Sequence, residues 1–332
     1  MQEVNQSPVT AECGPAPSGP GRWVLAGLLL GVVAVWGWTF ALVKEATNSF
    51  GVIPFLAMRF VIGAIVVAPF TAARAGRKSL AIGALVGLAL AAGFLLQTLG
   101  LRVTSSTNSG LITGIFVVFV PLANRAIFGI RTPGTLWIGI AASVVGLYLL
   151  TAGGGAAGKG LAPPPGGACG ENPAVIAREW GDFLTVLCAP CFGLHVALLD
   201  HFAKRHNPGA LALGQLLLAA AAFLAAWPLI ETPRWPPACV WPALLVTGLL
   251  ATAAGYIIQT YAQRRLSAVE AAMIMVLEPL FAAGCGYLYG DRLTLLQIAG
   301  GVLMLAALAA VEVYPRWAKN RDWRIFPSKK DN

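Results

Sequence analysis

The side chain best placed to do chemistry in this chain is Glu278, a carboxylate within an apolar segment that follows Ser267. A helical rise of about 1.5 Å per residue places it roughly 16 Å along that segment, near the middle of a bilayer core about 30 Å thick. A carboxylate at that depth is costly, faces a bundle interior and is often a proton or ion site. Glu278 is therefore a candidate for substrate binding or proton coupling, and the alternative is a structural carboxyl hydrogen-bonded between helices.

Two prolines indicate broken helices at matched places. Pro279 follows Glu278 and withholds the backbone amide that would bond the carbonyl of Met275. Pro121, in VFVPL, has a similar setting to Pro279, in VLEPL. Broken helices at matching positions of two repeats point to a binding site. We therefore expect a helix break at Pro121 and another at Pro279.

Arg59 is the one basic residue that falls inside an apolar segment. Pro54 suits the first turn of the helix, which would leave Arg59 one to two turns from the membrane surface, within reach of water by snorkelling. It could equally pair with Glu278 or with an anionic group of a solute. Both interpretations stay open from the sequence.

Amides and aromatic rings supply the other candidate binding groups. Gln97 and Gln259 occupy the same place in the related strings GFLLQT and GYIIQT. Each could join two helices, at about 0.6 kcal/mol, or bond a solute. Trp36, Trp38 and Tyr256 could form apolar walls of a pocket, or could simply pack between helices.

His195 and a cysteine pair complete the set of reactive groups. His195 could relay protons, although a lone buried histidine is more often a satisfied core residue. Cys188 and Cys191 form a C-x-x-C sequence, which suggests a rival function as a membrane thiol oxidoreductase working by disulfide exchange. The pair lies within an apolar helix where no nearby base would stabilise a thiolate, which argues against that function.

The elements that carry these residues are long apolar segments. The chain is 57% hydrophobic and 11% charged, with a mean hydropathy of +0.73, which indicates a lipid environment. Lipid offers no partner to an unpaired amide, so the segments must be helical. Ten segments are predicted to span the bilayer: Trp23–Val43, Phe50–Ala73, Leu80–Leu101, Ser106–Phe128, Pro133–Ala152, Asp182–Phe202, Pro208–Ile230, Val240–Ala262, Ala268–Tyr289 and Leu293–Val313.

The distribution of positive charge orients these segments. With the N-terminus in the cytoplasm, 16 of the 23 Lys and Arg residues fall on the cytoplasmic side and 6 on the other. This bias favours ten spans with both termini cytoplasmic. The net charge of +9 then needs no nucleic-acid partner, and the basic tail can lie against anionic lipid.

The two halves of the chain resemble one another. GFLLQT and GYIIQT are 162 positions apart, and Trp36-Gly37 corresponds to Phe192-Gly193 at an offset of 156. Five spans per copy is an odd number, so the second copy would enter the membrane from the opposite face, as in secondary transporters. We predict an all-α polytopic membrane protein of ten transmembrane helices in two inverted five-helix repeats. Its regions are a disordered arm (1–21), the first repeat (22–152), an outer linker (153–180), the second repeat (181–314) and a basic tail (315–332).

Several strings resemble the drug/metabolite transporter superfamily, and most closely its EamA-type permeases. They are WGWTFALVKEA from Trp36, MRF at Met58–Phe60, LQT at Leu96–Thr98, VP at Val120–Pro121 and LEPLFAAGCGYLYGDRLTLLQIAGGVLML at Leu277–Leu305. The similarity implies ten helices in two inverted repeats that move small metabolites, often as exporters of amino acids or related compounds. A composition rich in Ala, Gly and Leu, with short loops, suggests a bacterial inner membrane.

Other functions leave no trace in the sequence. No H-E-x-x-H, P-loop or G-x-S-x-G motif is present, so no enzyme, cofactor or metal site is predicted. Without an ATP site, transport would depend on an ion gradient or on the solute's own gradient. The expected partners are a small-molecule substrate and the lipid bilayer.

Overall fold

The computed structural model describes residues 21–72, 75–104, 106–152, 173–288 and 293–325, and these contain helices and no strand. The arm predicted over residues 1–21 lies outside the described residues except for Gly21, as does the linker up to residue 172. Helix formation satisfies the backbone amides that lipid would leave without partners.

The first half contains six helices. They are α1 (Arg22–Phe50), α2 (Val52–Thr71), α3 (Arg77–Val103), α4 (Ser106–Gly114), α5 (Phe116–Phe128) and α6 (Gly134–Ala152). Gly51 joins α1 to α2 at a φ of 99°, a backbone conformation that favours glycine.

The second half follows the same order of segments, except that the counterpart of α3 is divided into several elements. It contains α7 (Pro173–Ala203), α8 (Pro208–Ile230), a 3₁₀ turn (Ala238–Val240), α9 (Trp241–Leu245), a π-helical segment (Val246–Ala254), α10 (Gly255–Gln263), α11 (Ala268–Met275), α12 (Glu278–Leu288) and α13 (Leu295–Ile325). Helix α7 begins eight residues before the repeat boundary placed at residue 181, and α13 continues beyond the boundary at residue 314.

Eight helical stretches of the described chain are long and apolar enough to cross a membrane, and three of them run through more than one of these elements. The other two predicted segments, the fifth and the tenth, correspond to shorter apolar stretches at Gly134–Leu150 and Leu295–Val311. The protein is therefore an all-helical membrane protein with at least eight candidate spans, and the count of ten stays a prediction.

Contacts between the halves come in pairs that are related by exchanging one half for the other. The contact of α3 with α7 corresponds to the contact of α10 with α1. The contact of α3 with α8 corresponds to the contact of the π-helical segment with α2. Likewise α5 contacts α7, while α12 contacts α1. The remaining large contacts, α2 with α8 and α6 with α13, each join a helix to its own counterpart.

Gly37 and Gly193 make matching close contacts with the opposite halves, which shows which residues correspond to one another. A Cβ atom on Gly37 would lie 2.5 Å from the carbonyl oxygen of Glu278 and 3.1 Å from Cβ of Phe281. A Cβ atom on Gly193 would lie 3.2 Å from the carbonyl oxygen of Phe116 and 2.5 Å from Cβ of Phe119. Phe116 is therefore the counterpart of Glu278, at an offset of 162.

This alignment corrects the match between the prolines. Helix α12 begins directly after a break at Val276 and Leu277, as Pro279 predicted, since Leu277 N donates to Ile274 O in an i to i−3 bond. The helix does not break at Pro121, which lies inside α5. The break in the first half is at Ile115, where bonds from Ile115 N and Val118 N also span three residues. Pro121 follows that break by six residues, too far to cause it through one missing amide.

Ends of segments predicted to share a side of the membrane do meet. At one end Lys44 Nζ donates to Thr104 O at 2.5 Å, and Arg234 donates to Ser49 O at 3.3 Å. At the other end Arg22 forms a 2.8 Å salt bridge with Glu270, which also completes a capping box with Ser267 at the start of α11. We call these two ends the Phe50 end and the Arg22 end, after the two termini of α1.

Candidate functional site

A buried cavity of about 70 Å³ lies between the two halves. Seven of the eight candidate binding residues line it, and they come from six different helices: Trp36, Arg59, Gln97, His195, Tyr256, Gln259 and Glu278. The fold thus gathers residues that are up to 242 positions apart in the chain into one space.

Trp38 is the exception, and the prediction that it forms a wall of the pocket is wrong. Its side chain is 39% exposed on the bundle surface and does not line the cavity. Two residues along an α-helix turn through roughly 200°, so Trp36 and Trp38 face opposite directions. Trp36 is buried, and its Nε1 donates to Ala251 O at 2.8 Å.

These two tryptophans make a matched pair for mutagenesis. Trp36→Ala should lower stability by about 3–5 kcal/mol, since it empties a buried site and removes a partner of a buried carbonyl. Trp38→Ala should change stability by less than about 1 kcal/mol. Thermal unfolding of the two purified variants in one detergent compares them, and equal losses would contradict the assignment of Trp36 to the cavity wall.

Arg59 is 4% exposed and is held on two sides. Its Nε donates to Thr252 Oγ1, in the π-helical segment, at 2.8 Å. Its guanidinium carbon lies 4.6 Å from the centre of the Phe94 ring, within cation–π range. This is the only hydrogen bond of Arg59 to the residues that the structure describes, so the side chain does not snorkel to the surface.

Glu278 lies on the same cavity without a contact ion pair. Among the described residues, no carboxylate oxygen lies within 4.0 Å of Arg59, and none of them hydrogen-bonds the Glu278 carboxylate. The structural alternative for Glu278, a bond between helices, is thus absent from the described part of the chain. Arg59 and Glu278 therefore line one cavity without forming a contact ion pair.

Gln259 adds an unpaired acceptor to this space. The residue is fully buried, and its Nε2 donates to Gln263 Oε1 at 3.2 Å. Its Oε1 has no hydrogen-bond partner among the described residues. A buried acceptor without a partner is costly, which makes it a candidate to receive a donor from a bound solute.

His195 and Gln97 are tied to neighbouring polar groups. His195 Nε2 lies 2.6 Å from Gln215 Oε1, and Gln215 Nε2 donates to Leu211 O at 3.1 Å. Gln97 Nε2 donates to Thr113 Oγ1 at 3.1 Å. Gln215, the counterpart of Arg59, does not line the cavity.

The cysteine pair is not bonded in this structure. Cys188 and Cys191 are both free thiols. Cys188 is fully buried, with its sulfur 3.6 Å from Thr113 Oγ1, while Cys191 Sγ donates to Leu187 O. Neither arrangement resembles an accessible redox centre.

Sequence reasoning missed several cavity residues that the repeat itself could have identified. Phe192 is the counterpart of Trp36, and Phe94 is the counterpart of Tyr256; both line the cavity. Gly93 and Gly255 hold the partners close, because a Cβ on Gly93 would lie 2.8 Å from the Phe192 ring and one on Gly255 would lie 3.2 Å from Trp36 Nε1.

Most of the lining follows the same pairing. At an offset of 156 the lining pairs are Trp36 with Phe192, Thr39 with His195 and Phe40 with Val196. At an offset of 162 they are Phe94 with Tyr256, Gln97 with Gln259, Thr113 with Met275 and Phe116 with Glu278. These seven pairs form what we call the symmetric floor of the cavity.

Four lining residues have no lining counterpart, and all belong to the first half: Val43, Arg59, Thr98 and Leu101. Their counterparts Leu199, Gln215, Thr260 and Gln263 are fully buried and away from the cavity. Gln263 Nε2 donates to Val196 O at 2.8 Å, closing α10 onto α7 on the Arg22 side of the floor. The cavity consequently extends toward the Phe50 end and not toward the Arg22 end.

Comparison with known proteins gives consistent matches. A model of the EamA-like transporter family matches residues 23–152 and 179–312. An uncharacterized transporter of Archaeoglobus fulgidus is 29% identical over 291 residues, which cover 86% of this chain and 85% of that protein. The uncharacterized inner membrane transporter YedA of Escherichia coli (strain K12) is 28% identical over 141 residues, 41% of this chain and 46% of YedA. One crystal structure superposes with a TM-score of 0.70 at 17% identity, covering 89% of this chain and 99% of the other, a likeness of fold.

Proposed function

Because this chain belongs to the EamA-like transporter family and is a membrane transporter rather than an enzyme, we propose that it moves a small metabolite such as an amino acid, in the direction of export. We place it in a bacterial inner membrane, as the name of YedA suggests. The observation that carries the proposal is the cavity between the halves, which Arg59 and Glu278 both line without pairing.

The pairing of contacts between the halves supports alternating access by two inverted five-helix repeats. In such transporters one repeat moves against the other around a site near the membrane midplane. In this conformation Val43, Thr98 and Leu101 line the cavity, and their counterparts do not. In the conformation in which the halves have exchanged roles, these three residues would leave the cavity, and Leu199, Thr260 and Gln263 would line it at the Arg22 end.

The source of energy is a gradient, and Glu278 is the residue best placed to couple it. Its carboxyl lies on the cavity and none of the described residues hydrogen-bonds it. An ionised carboxylate is costly in a bilayer interior unless it is compensated. A proton or the cationic group of a solute would each supply that compensation, which is the basis for proposing proton-coupled exchange.

The experiment is transport by purified protein in proteoliposomes. Uptake and efflux of a panel of amino acids and other metabolites would be followed with and without an imposed pH gradient. The proposal expects saturable flux of at least one small metabolite, with efflux accelerated by the pH gradient. A protein that moves no solute of the panel in either direction would refute it.

Cysteine accessibility tests the sidedness of the cavity. In a background whose native cysteines are replaced, Val43→Cys should react with a membrane-impermeant thiol reagent at least about tenfold faster than Leu199→Cys, because Val43 borders the cavity and Leu199 is packed away from it. Labelling in intact cells compares the two positions, and equal rates would contradict a conformation open at the Phe50 end.

A further inference from the structure

We propose that Arg59 binds the carboxylate of a zwitterionic substrate, and that it does so only in the conformation whose cavity extends to the Phe50 end. The inference deepens the proposed transport function and rests on it. It assigns Arg59 as the residue that sets both the charge preference of the site and a difference in affinity between the two faces of the membrane.

The Arg59 guanidinium is held in place by two contacts. Thr252 occupies its Nε, and the Phe94 ring supports its face at 4.6 Å. The two terminal nitrogens bond none of the described residues, yet the side chain is almost fully buried and lines the cavity. A fixed guanidinium with its terminal donors free is suited to a planar carboxylate, which accepts two parallel hydrogen bonds.

Two acceptors line the same cavity as Arg59. The Glu278 carboxylate and the Gln259 Oε1 both lack hydrogen-bond donors among the described residues, and both residues line the cavity. Together they offer acceptors to an ammonium group. An anionic solute would leave Glu278 uncompensated, and a cationic solute would leave Arg59 uncompensated, so a zwitterion satisfies both charges at once.

The size and aromatic lining of the cavity indicate which side chain the solute carries. Trp36, Phe94 and Phe192 supply aromatic surface to the cavity, whose volume of about 70 Å³ is well below the roughly 300 Å³ at the lower end of drug-sized pockets. A compact apolar side chain matches that surface. The class of substrate is thus a small neutral α-amino acid with an apolar side chain.

The two halves differ at the position of Arg59, whose counterpart in the second half is Gln215. Gln215 stands where Arg59 would have its counterpart, and it is fully buried, bonded to His195 and absent from the cavity. In the conformation in which the halves have exchanged roles, Arg59 takes a position away from the cavity, like that of Gln215 here. Its neighbour is then Thr39, because Thr39 is the counterpart of His195. The carboxylate then loses its partner, so the affinity for the solute is lower in the conformation that opens at the Arg22 end, and export from that end must draw on the coupling gradient.

The test compares L-valine with L-valinamide, which lacks the carboxylate, on wild type and on Arg59→Gln, which places the same residue at both counterpart positions. In lipid nanodiscs, L-valine should bind to the wild-type protein about 10- to 100-fold more tightly than to Arg59→Gln. This is the range expected for a buried charge-assisted hydrogen bond. L-valinamide should bind the two proteins within about threefold, and this retained binding reports that the variant is folded. Arg59→Lys, which keeps the charge without the planar fork, should recover part of the affinity for L-valine and serves if Arg59→Gln does not fold.

Oriented proteoliposomes test the second half of the proposal. The half-saturating concentration of L-valine should be at least about tenfold lower from the Phe50 face than from the Arg22 face, and the two should become equal in Arg59→Gln. Equal affinities of wild type for L-valine and L-valinamide, or equal values at the two faces, would overturn the inference. If another solute is transported while no neutral amino acid binds, this inference fails and the transport function stands; if no solute moves at all, the transport function fails as well.

Discussion

Glu278→Gln is expected to leave a folded protein in the membrane that transports less than about 1% as fast as wild type. Glutamine fills the same volume as glutamate, so the packing of α12 against α1 should persist. The amide carries no charge and releases no proton, so it neither compensates an ammonium group nor couples a proton. A charged hydrogen bond contributes about 1.5–3 kcal/mol, which corresponds to roughly a 10- to 100-fold loss, and the loss of coupling adds to it.

Glu270→Gln is the matched control, because it removes a carboxylate from the neighbouring helix α11. Glu270 caps that helix and forms a salt bridge to Arg22 at the Arg22 end, away from the cavity. This change should lower thermal stability by about 0.5–2 kcal/mol and leave the flux per folded molecule near the wild-type value. Flux assays normalised to protein that elutes as a single species compare the two variants, and wild-type flux in Glu278→Gln would remove Glu278 from the mechanism.

Gly37→Ala is expected to destabilise the protein by about 1–3 kcal/mol and to lower transport, although it adds a single methyl group. The added carbon would lie 2.5 Å from the carbonyl oxygen of Glu278 and 2.9 Å from the amide nitrogen of Ala282. Both atoms belong to the backbone at the start of α12, so no side chain can turn aside to make room. The helix that carries Glu278 must move instead.

Gly31→Ala, on the same helix, isolates the steric effect. A Cβ atom at Gly31 would meet nothing within 4 Å of it. Alanine favours a helix by up to about 1 kcal/mol relative to glycine, so this variant should be as stable as wild type or slightly more so. Thermal unfolding and flux of the two variants, measured side by side, separate the contributions, and a Gly37→Ala protein that matches Gly31→Ala would show that α1 and α12 do not need this close approach.

Much of the site was predictable because membrane helices make buried polar groups conspicuous. Glu278, Arg59 and the two glutamines interrupt apolar runs, and the cost of polar groups in lipid directs them inward. The helix break before Pro279 followed from one missing amide donor. These are local properties of the sequence, and the roles in binding and coupling proposed for these residues stay predictions.

The errors arose where position depends on register. Trp38 shares a string with Trp36, yet the turn of the helix sends the two rings to opposite sides. Pro121 was matched to Pro279 by letter, whereas the contacts of Gly37 and Gly193 fix the true offset, under which Val117 answers Pro279. The Thr252 hydroxyl that holds Arg59 was out of reach, since no sequence pattern placed a π-helical segment there.

That segment also sets a constraint on helix geometry. A π-helix accommodates an additional residue per turn, and between Val246 and Ala254 this surplus places Ala251 against Trp36 and Thr252 against Arg59. An ordinary α-helix with the same number of residues would rotate everything that follows in α10 by about 100° for each surplus residue. Tyr256 and Gln259 would then swing out of the space they now border. The wide turns of this stretch are therefore as strict a requirement for the site as the residues that line it, and substitutions that close them into an α-helix should be tolerated far less than substitutions that leave them wide.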